Sequence, residues 1–324
     1  MTSPTTQSRI ARSVASVDWP ALGGIFSLYL VSRLALVLIG VLTQATLGDD
    51  PDASLIQLGC RWDCGWYLGI ADHGYTQSEN SGVPGATSFA FFPIFPLLMR
   101  GVATISGLGL LPAGLIVTNL CFLAALVYLH RYVLQLGFSR GSAMLSVALL
   151  CIIPQSFVFS AVYTESVFLL FLVAAMFHLR RGEFLRAGCA AALLSATRAN
   201  GIFFLVFAIA WLVRRYGWPQ LLRPWQNAEA YIPILLAPLG LFLWWAYCYS
   251  STGDAFAQPT TVGYGWGWRG GFFLENLWWH LQATLEARFW VLSSLLIFGA
   301  STWLLRLRLY EEFIFCAAIF LLLW

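Results

Sequence analysis

The sequence contains little charge and no lysine. Only 10% of its 324 residues are charged, and the 18 residues counted as Lys plus Arg are all arginine. Soluble globular domains carry about 25% charged residues, so this composition excludes a soluble enzyme. A net charge of +3 is too small for a nucleic-acid-binding protein, and a hydrophobic share of 59% excludes a disordered chain. The composition predicts a membrane protein with many spans.

The sequence also lacks the patterns that hold metals and nucleotides. There is no CxxC pair, no zinc-ligand spacing and no glycine-rich phosphate loop. Asp50-Pro51-Asp52 has the D-x-D pattern, but we interpret it as a solvated turn because Gly48-Asp49 precedes it. We therefore expect no cofactor and no divalent metal.

Two of the seven cysteines, Cys60 and Cys64, lie close together. On a helix they would share one face, which allows a local disulfide if their loop is extracytoplasmic. We favour the alternative, two unpaired thiols. Five of the cysteines lie in apolar runs, where cysteine usually behaves as a small hydrophobic residue.

Apolar runs near the 20 residues that cross a bilayer recur along the chain. They are 21–43, 88–107, 111–135, 141–160, 163–180, 184–213, 229–250, 289–306 and 310–324. Arginine placement predicts their orientation, because arginine-rich loops stay in the cytoplasm. The predicted cytoplasmic clusters are Arg9 and Arg12; Arg131 and Arg140; Arg180, Arg181 and Arg186; Arg214, Arg215 and Arg223; and Arg306 and Arg308. The acidic segment 44–110 is then external.

Alternation between the two sides limits the number of crossings. One crossing must separate the external segment from the cytoplasmic cluster at Arg131 and Arg140, and the run 111–135 supplies it. The run 88–107 therefore cannot be a full span, and we predict a juxtamembrane or re-entrant piece there. The same reasoning splits 184–213 into two short crossings with an external turn near Arg198–Gly201. A single long bent helix is the alternative.

The predicted fold is an all-α polytopic membrane protein in which residues 1–324 form a single transmembrane domain. Seven spans precede a second external loop at 251–288, and an eighth span follows it. The first external loop, 44–110, is large and contains juxtamembrane helices. The chain ends within an apolar segment, so we expect further sequence beyond residue 324.

The densest polar and aromatic stretch is RWDCGWYLGIADHGY at 61–75. On a helix Asp63 and Tyr67 fall four residues apart on one face. A carboxylate flanked by Trp62 and Trp66 would lie in an apolar pocket at the membrane surface, where a general base can be tuned. The alternative is an interfacial amphipathic helix with tryptophans in the aromatic belt and Asp63 as a helix cap. Composition alone favours that alternative.

These residues also carry a resemblance to a known family. WD-x-x-WY-x-x-IADHGY followed by FAFFP-x-FP resembles the signature of the PIG-V family, whose eukaryotic members are endoplasmic-reticulum mannosyltransferases of glycosylphosphatidylinositol synthesis within the GT-C superfamily. Two later stretches agree: Tyr163-Thr164-Glu165-Ser166 resembles its Y-[ST]-E-S, and Arg198-Ala199-Asn200-Gly201 its R-[ST/A]-N-G. The stretch TGDAFAQ at 252–258 is similar to T-G-D-P-x-x-F-x-x-x-Q of bacterial relatives, with Ala255 in place of proline and a shorter spacing to Gln258.

The resemblance covers most of the chain in the right order. It implies a GT-C-like helical bundle and transfer of mannose from a polyprenyl-phosphate donor to a hydroxyl of a glycolipid or glycan acceptor, with inversion, on the non-cytoplasmic face. We expect a bacterial member in the plasma membrane rather than in the endoplasmic reticulum. The family normally has further spans after the point where this sequence ends.

The proposed chemistry assigns roles to particular residues. Asp63 is the expected general base. Arg198, inside an apolar run where charge is costly, is the expected cation for the donor phosphate, with His73 and Arg33 as further candidates. The residues expected to bind substrate are Trp62, Trp66, Tyr67, Tyr163, Glu165, Asn200, Asp254, Gln258, Trp266 and Trp268.

Structural roles remain open for several of these residues. Arg198 would snorkel from a short helix end, Arg33 would pair with an acid on another span, and His73 would be a structural loop residue. Thr164 and Glu165 would cap a helix, and the two late tryptophans would belong to the interfacial belt.

Two other functions compete with the transferase interpretation. A lipid-linked oligosaccharide transporter should carry ionisable groups near the bilayer midplane and should consist of paired halves. Arg33 is the main ionisable residue of this sequence in the middle of an apolar run. A non-catalytic subunit that supports another transferase would not need Asp63. The expected partners are the polyprenyl-phosphate sugar, the acceptor and membrane lipids, without nucleic acid.

Overall fold

The structure, a computed structural model, describes residues 18–47, 54, 56–76, 85–266 and 273–323. Helices account for 82% of it and the described residues contain no strand, so the predicted all-α polytopic fold is confirmed. The chain divides into two compact units, Met1–Thr76 with Phe91–Arg181 and Gln77–Ala90 with Gly182–Trp324. The assignment of one domain to 1–324 stays a prediction.

The first unit contains six α-helices among its described residues. They are α1 (Trp19–Leu47), α2 (Cys64–His73), α3 (Ile94–Ser106), α4 (Leu110–Gln135), α5 (Arg140–Ile152) and α6 (Glu165–Arg180), with 3-10 turns at Gln57–Gly59 and Pro154–Phe159. Helix α4 packs against α1, α3, α5 and α6. Ile25, Phe122 and Val147 bury their side chains where α1, α4 and α5 meet, so α4 is the central helix of this unit.

The second unit holds nine α-helices among its described residues. They are α7 (Phe184–Ser195), α8 (Phe204–Tyr216), α9 (Ile232–Leu236), α10 (Leu239–Thr252), α11 (Ala257–Trp266), α12 (Phe273–Gln282), α13 (Leu285–Ser301), α14 (Trp303–Arg306) and α15 (Tyr310–Leu323), with 3-10 turns at Ser88–Ala90, Ala199–Phe203, Trp218–Leu222 and Pro224–Tyr231. Helix α7 packs on α9 and α10, and α8 packs on α15. An ion pair of 2.7 Å between Arg214 and the buried Glu311 joins α8 to α15.

Four described helices are long and apolar enough to cross a membrane, and a bent pair raises the number to five. The four are Trp19–Thr46, Leu110–Gln135, Ala199–Tyr216 and Ala287–Arg306, and the pair is Pro224–Leu236 with Leu239–Thr252. The expected eight spans are therefore only partly matched by helix length. Helices α5 and α7, placed on predicted crossings, have 13 and 12 residues.

Proline and glycine explain where the shorter helices end. The predicted crossing at 141–160 breaks at Pro154, which lacks an N–H and holds Ile153 in an extended conformation with ψ of 143°. Helix α3 ends at Gly107, whose φ of 72° is a left-handed C-cap. With 13 residues, α3 is shorter than a span, and its juxtamembrane or re-entrant placement within 88–107 stays a prediction.

Candidate active site

Asp63, the expected base, lies in a tight turn immediately before α2. Cys60 and Cys64 bracket it and form a disulfide bond, so the interpretation of these residues as unpaired thiols is wrong. Trp62 has a φ of 43°, in the left-handed region that residues with side chains seldom adopt. Asp63 occupies the N-cap position of α2, but its side chain does not cap the helix. The alternative role as a helix cap therefore does not use the Asp63 carboxyl group.

A second segment, just before α6, holds this turn. The Val162 N–H donates to the Gly59 carbonyl at 2.9 Å, and the Tyr163 hydroxyl donates to the Arg61 carbonyl at 2.9 Å. The last two residues are 102 positions apart in the sequence. The structure therefore brings the stretch at 61–75 and the stretch at 163–166 together within the first unit.

The hydroxyl of Tyr163 shows the electrostatics of this site. Burial raises the pKa of Tyr163, and the negative charges of Asp63 and Glu165 raise it further, while the backbone N–H of Asp63 acts in the opposite direction. Tyr163 is therefore a neutral donor at pH 7. Asp63 follows the Arg61 carbonyl that accepts from this hydroxyl by two residues, and Glu165 is the first residue of α6, two residues after Tyr163.

Tyr163→Phe should flatten the dependence of stability on alkaline pH. The folded pKa of Tyr163 lies above its ordinary value of about 10, so its contribution to stability is complete below pH 10 and is lost as the pH rises through the folded pKa. The unfolding free energy of the wild type should fall more steeply above about pH 10 than that of the variant. At pH 7 the variant should lose about 1 kcal/mol with the hydrogen bond.

Thermal unfolding followed by fluorescence measures both effects of the Tyr163 substitution. Tyr264→Phe, which changes a tyrosine that is 77% exposed, is the matched control. Equal slopes for wild type and Tyr163→Phe would contradict the pKa direction.

Aromatic side chains pack behind the turn. The Tyr67 ring meets Phe91 and Phe95 edge-on at centroid distances of 5.0 Å, and Trp66 stacks on Phe91 at 5.6 Å. The first sequence motif thus packs on the FFP-x-FP segment. Tyr67 is buried there, whereas Trp62 is exposed. The substrate contacts expected of Trp62, Trp66 and Tyr67 stay predictions.

Thr164 and His73 are placed near the ends of two helices. Thr164 lies at the N-cap position of α6 without capping it through its side chain. His73 is the last residue of α2 and forms an exposed ion pair with its neighbour Asp72 at 3.1 Å. A role for His73 in phosphate binding stays a prediction.

Arg33 is held entirely by neutral oxygen atoms. Its side chain is buried in α1, and a guanidinium group has five N–H donors. The five donors bind, in turn, Ser32 Oγ, Ser156 O, Ser160 Oγ, Cys151 O and Ser156 Oγ. The expected partner acid on another span does not appear among these bonds. Contact with a donor phosphate would require breaking at least one of them.

The hydrogen bonds of Arg33 continue into α4. Ser160 donates to Asn119 Oδ1 at 2.9 Å, and the Tyr29 hydroxyl donates to the same atom at 3.0 Å. The sequence analysis missed Asn119 and Ser156. A single polar residue inside an apolar run is the signal that could have identified them, because a polar group in a span needs a partner.

The predicted turn near Arg198–Gly201 is present in the second unit. Helix α7 ends at Ser195, a 3-10 turn covers Ala199–Phe203, and α8 begins at Phe204, so the alternative of one long helix is wrong. Arg198 has an extended backbone and an exposed side chain, while Asn200 is half-buried. Their roles toward phosphate and substrate stay predictions.

Gly201→Ala should destabilise the protein because backbone atoms fill the space a side chain needs. A Cβ atom there would overlap the Leu194 carbonyl group, with the carbonyl carbon at 2.6 Å. We expect a loss of about 3 kcal/mol in the free energy of unfolding, measured by thermal unfolding in detergent. Gly101→Ala is the control, since its Cβ would meet no atom within 4 Å, and an equal effect of both substitutions would contradict the packing argument.

Asp254 organises the start of α11. Its carboxylate accepts from the Phe256 N–H at 2.8 Å and from the Thr260 hydroxyl at 3.2 Å. These two bonds give the aspartate of the TGD stretch a structural role at the start of the helix. Its expected contact with substrate, like that of the half-buried Gln258, stays a prediction. Of the two late tryptophans, Trp266 ends α11 but its side chain lies outside the described residues, as does Trp268.

An aromatic cluster in the second unit was not predicted. Phe89 stacks on Trp244 at 6.2 Å and on Tyr247 at 6.4 Å, and Thr87 and Thr261 share a hydrogen bond of 3.0 Å. The segment 85–90 therefore packs on α10 and α11. The position of Phe89 in the FAFFP motif could have indicated this packing. The apolar residues of the motif by themselves indicated only a loop that dips into the bilayer.

The candidate residues are divided between the two units. Asp63, Tyr163 and Glu165 belong to the first, whereas Arg198, Asn200 and Asp254 belong to the second, so a joint site stays a prediction. The described residues contain no group of three or more His, Cys, Asp or Glu that could hold a metal. Asp50-Pro51-Asp52 lies outside them, and the expectation of no metal or cofactor is not tested.

Fold and site together define a polytopic membrane protein whose polar motifs lie at the ends of helices. A family model described as "Mannosyltransferase (PIG-V)" matches residues 49–268. The chain belongs to the PIG-V mannosyltransferase family, as the resemblance predicted.

The chain is also similar to curated animal proteins. The mouse protein named GPI alpha-1,6-mannosyltransferase 2 is 30% identical over 217 residues, covering 61% of this chain and 42% of the mouse protein. The rat protein of that name is 28% identical over 219 residues, covering 61% and 43%. The GPI mannosyltransferase 2 of Drosophila pseudoobscura pseudoobscura is 26% identical over 204 residues, covering 58% and 43%.

The matches limit what is carried over from these relatives. The chain spans about two fifths of the length of the curated relatives it matches. The expectation of a bacterial member in a plasma membrane gains no support from them, since they are animal proteins. No solved structure matches the chain.

Proposed function

We propose that this protein transfers mannose from a polyprenyl-phosphate donor to a hydroxyl group of a glycolipid, with inversion, on the non-cytoplasmic face of its membrane. The observation that carries the proposal is the meeting of the Asp63 turn with Val162 and Tyr163 through two hydrogen bonds. Both segments lie within the residues that match the mannosyltransferase family. The names of the relatives further suggest a glycosylphosphatidylinositol acceptor and an α-1,6 linkage.

Inverting transfer requires one base, and Asp63 is our candidate. The Asp63 carboxylate takes the proton of the acceptor hydroxyl while the acceptor oxygen bonds to the anomeric carbon of mannose. The bond from that carbon to the phosphate oxygen breaks, and polyprenyl phosphate leaves. Asp63 suits this step because its turn is fixed on both sides, by the disulfide and by the segment at 162–163.

The neighbouring side chains fit sugar binding. Glu165 and the neutral Tyr163 lie close to the base, where a carboxylate and a hydroxyl can bind sugar hydroxyl groups. Trp62 is 77% exposed beside Asp63 and offers an apolar face for a pyranose ring or a lipid chain. We assign acceptor and sugar contacts to these three residues.

The leaving phosphate requires a fixed cation, and Arg198 remains our candidate. Its side chain is exposed at the turn between α7 and α8. Arg33 suits this role less well, because neutral oxygen atoms already occupy its five N–H groups. The same saturation weakens the transporter interpretation, for which Arg33 was the main ionisable residue inside a span.

A sugar-transfer assay tests the proposal. Purified protein in detergent with lipid receives polyprenyl-phosphate [³H]mannose and a synthetic glycosylphosphatidylinositol precursor, and labelled product is separated by thin-layer chromatography. We expect transfer from this donor and none from GDP-mannose. Digestion with linkage-specific α-mannosidases then identifies the bond formed.

Liposomes separate the rival functions. Protein reconstituted with labelled donor in one leaflet should form mannosylated product without first moving the donor to the opposite leaflet. Movement of donor without transfer would identify a transporter. Absence of both activities, or transfer from GDP-mannose alone, would contradict the proposal.

A further inference from the structure

We propose that the Cys60–Cys64 disulfide is a positioning element for mannose transfer, which keeps the Asp63 carboxyl group aligned with the acceptor hydroxyl. This inference rests on the proposed function and adds a residue pair to it. The bond closes a ring of only five residues, because the two cysteines are four positions apart in the sequence. Asp63 lies inside that ring, directly before the second cysteine.

One end of the ring is rigid. Cys64 is the first residue of α2 and is 1% exposed, and Tyr67, one turn later, is buried between Phe91 and Phe95. The disulfide therefore ties Cys60 to a point that the core of the first unit already fixes. Asp63 is attached to the same point through one peptide bond.

The backbone between the two cysteines is strained at Trp62. Its φ of 43° lies in the left-handed region, which a residue with a Cβ atom adopts at a cost. The indole is largely exposed, and its ring centroid lies 6.2 Å from that of Phe157. Packing of the side chain is thus a weak restraint on this conformation.

Two hydrogen bonds to the neighbouring segment act on the residues that precede Trp62. Val162 and Tyr163 hold the carbonyl groups of Gly59 and Arg61, which precede Trp62. A backbone hydrogen bond also crosses the turn, from the Cys64 N–H to the Arg61 carbonyl at 3.1 Å, and the disulfide adds a covalent link across the same residues. Without that link, rotation about the Trp62 backbone against this weaker bond changes the relation between the residues before Trp62 and Asp63. The carboxyl group then moves relative to Tyr163 and Glu165 while α2 stays folded.

The proposal predicts a particular kinetic signature. Misplacing a base by about 1 Å costs as much as a hundredfold in rate, and a flexible base spends part of its time in place. We expect removal of the disulfide to lower kcat about tenfold and to leave the KM for polyprenyl-phosphate mannose within about twofold. The melting temperature should change little, because cross-linking so short a loop restricts the unfolded chain weakly.

The experiment compares oxidised protein, protein reduced with a phosphine, and Cys60→Ser/Cys64→Ser in the same transfer assay. Reduction delivers two electrons and two protons to the sulfur pair, while water converts the phosphine to its oxide. Mass spectrometry after alkylation counts the new thiols. Re-oxidation should restore kcat in the wild type, and the reductant should not affect the double variant. Cys189→Ser, which changes an exposed free thiol, should behave as the wild type.

A double-mutant cycle with Asp63→Glu shows whether the disulfide acts through the base. Asp63→Glu keeps a carboxyl group and thus measurable turnover, and we expect removal of the disulfide to cost less than threefold in that background. Independent effects of the two changes would overturn the proposal, as would an unchanged kcat in fully reduced wild type. No transfer by oxidised wild type would instead overturn the proposed function itself.

Discussion

Asp63→Asn should lower the kcat of mannose transfer by about a thousandfold. The amide keeps the shape of the carboxyl group but cannot take the acceptor proton, and a positioned general base contributes roughly 10²–10⁴-fold to rate. In the proposed mechanism the donor binds through its phosphate and lipid, so the KM for polyprenyl-phosphate mannose should stay within about threefold. Initial rates at saturating acceptor measure both constants.

Asp72→Asn provides the matched control for the Asp63 substitution. Asp72 lies on α2, the helix that Asp63 precedes, but its side chain is 60% exposed and pairs with His73, so its variant should keep turnover within about twofold. If Asp63→Asn retains near-normal turnover, Asp63 is not the base. Glu165, the other carboxylate beside Tyr163, would then be the first alternative to test.

Arg33→Lys should lower the free energy of unfolding by about 4 kcal/mol. Lysine offers three N–H donors where arginine offers five, so at least two of the five acceptor contacts are lost while the charge stays buried. Each buried polar group left unsatisfied costs about 1–3 kcal/mol. The Phe122 ring, 4.9 Å from the guanidinium carbon, also loses its planar partner.

Denaturation in mild detergent, followed by tryptophan fluorescence, measures the effect of Arg33→Lys. Arg186→Lys is the control, because the Arg186 side chain is 72% exposed in a surface pair with Glu183 and its variant should lose less than about 1 kcal/mol. Similar losses for the two variants would show that the five hydrogen bonds of Arg33 do not act as a unit.

Much of the fold follows from residue type and spacing. Apolar runs and arginine clusters predicted the helical class, the short helix at Ile94–Ser106 and the break between α7 and α8. Helix lengths were harder to predict because the hydropathy of 141–160 is continuous. The helix α5 ends just before Pro154. The sequence does not show that Ser156, just after this break, binds the Arg33 side chain.

The candidate site was predictable as a set of residues but not as a geometry. The motif around Asp63 and the motif around Glu165 were both recognised, yet nothing in their spacing indicated that Val162 and Tyr163 bind the Asp63 turn. The disulfide was also missed. Two cysteines four apart share a helix face, and only the non-helical turn through Trp62 brings their sulfur atoms together.

The saturated arginine of α1 has a consequence for biosynthesis. Ser156, which accepts two of its N–H groups, is synthesised 123 residues later. At 5–20 residues per second, the ribosome needs about 6–25 s to make that partner after it has made Arg33. Of the acceptors described for Arg33, Ser32 alone is already present during this interval. The other N–H groups of the charge need water or lipid headgroups until the turn at Pro154–Phe159 is made, so the first helix should stay near the lipid surface or within the insertion machinery.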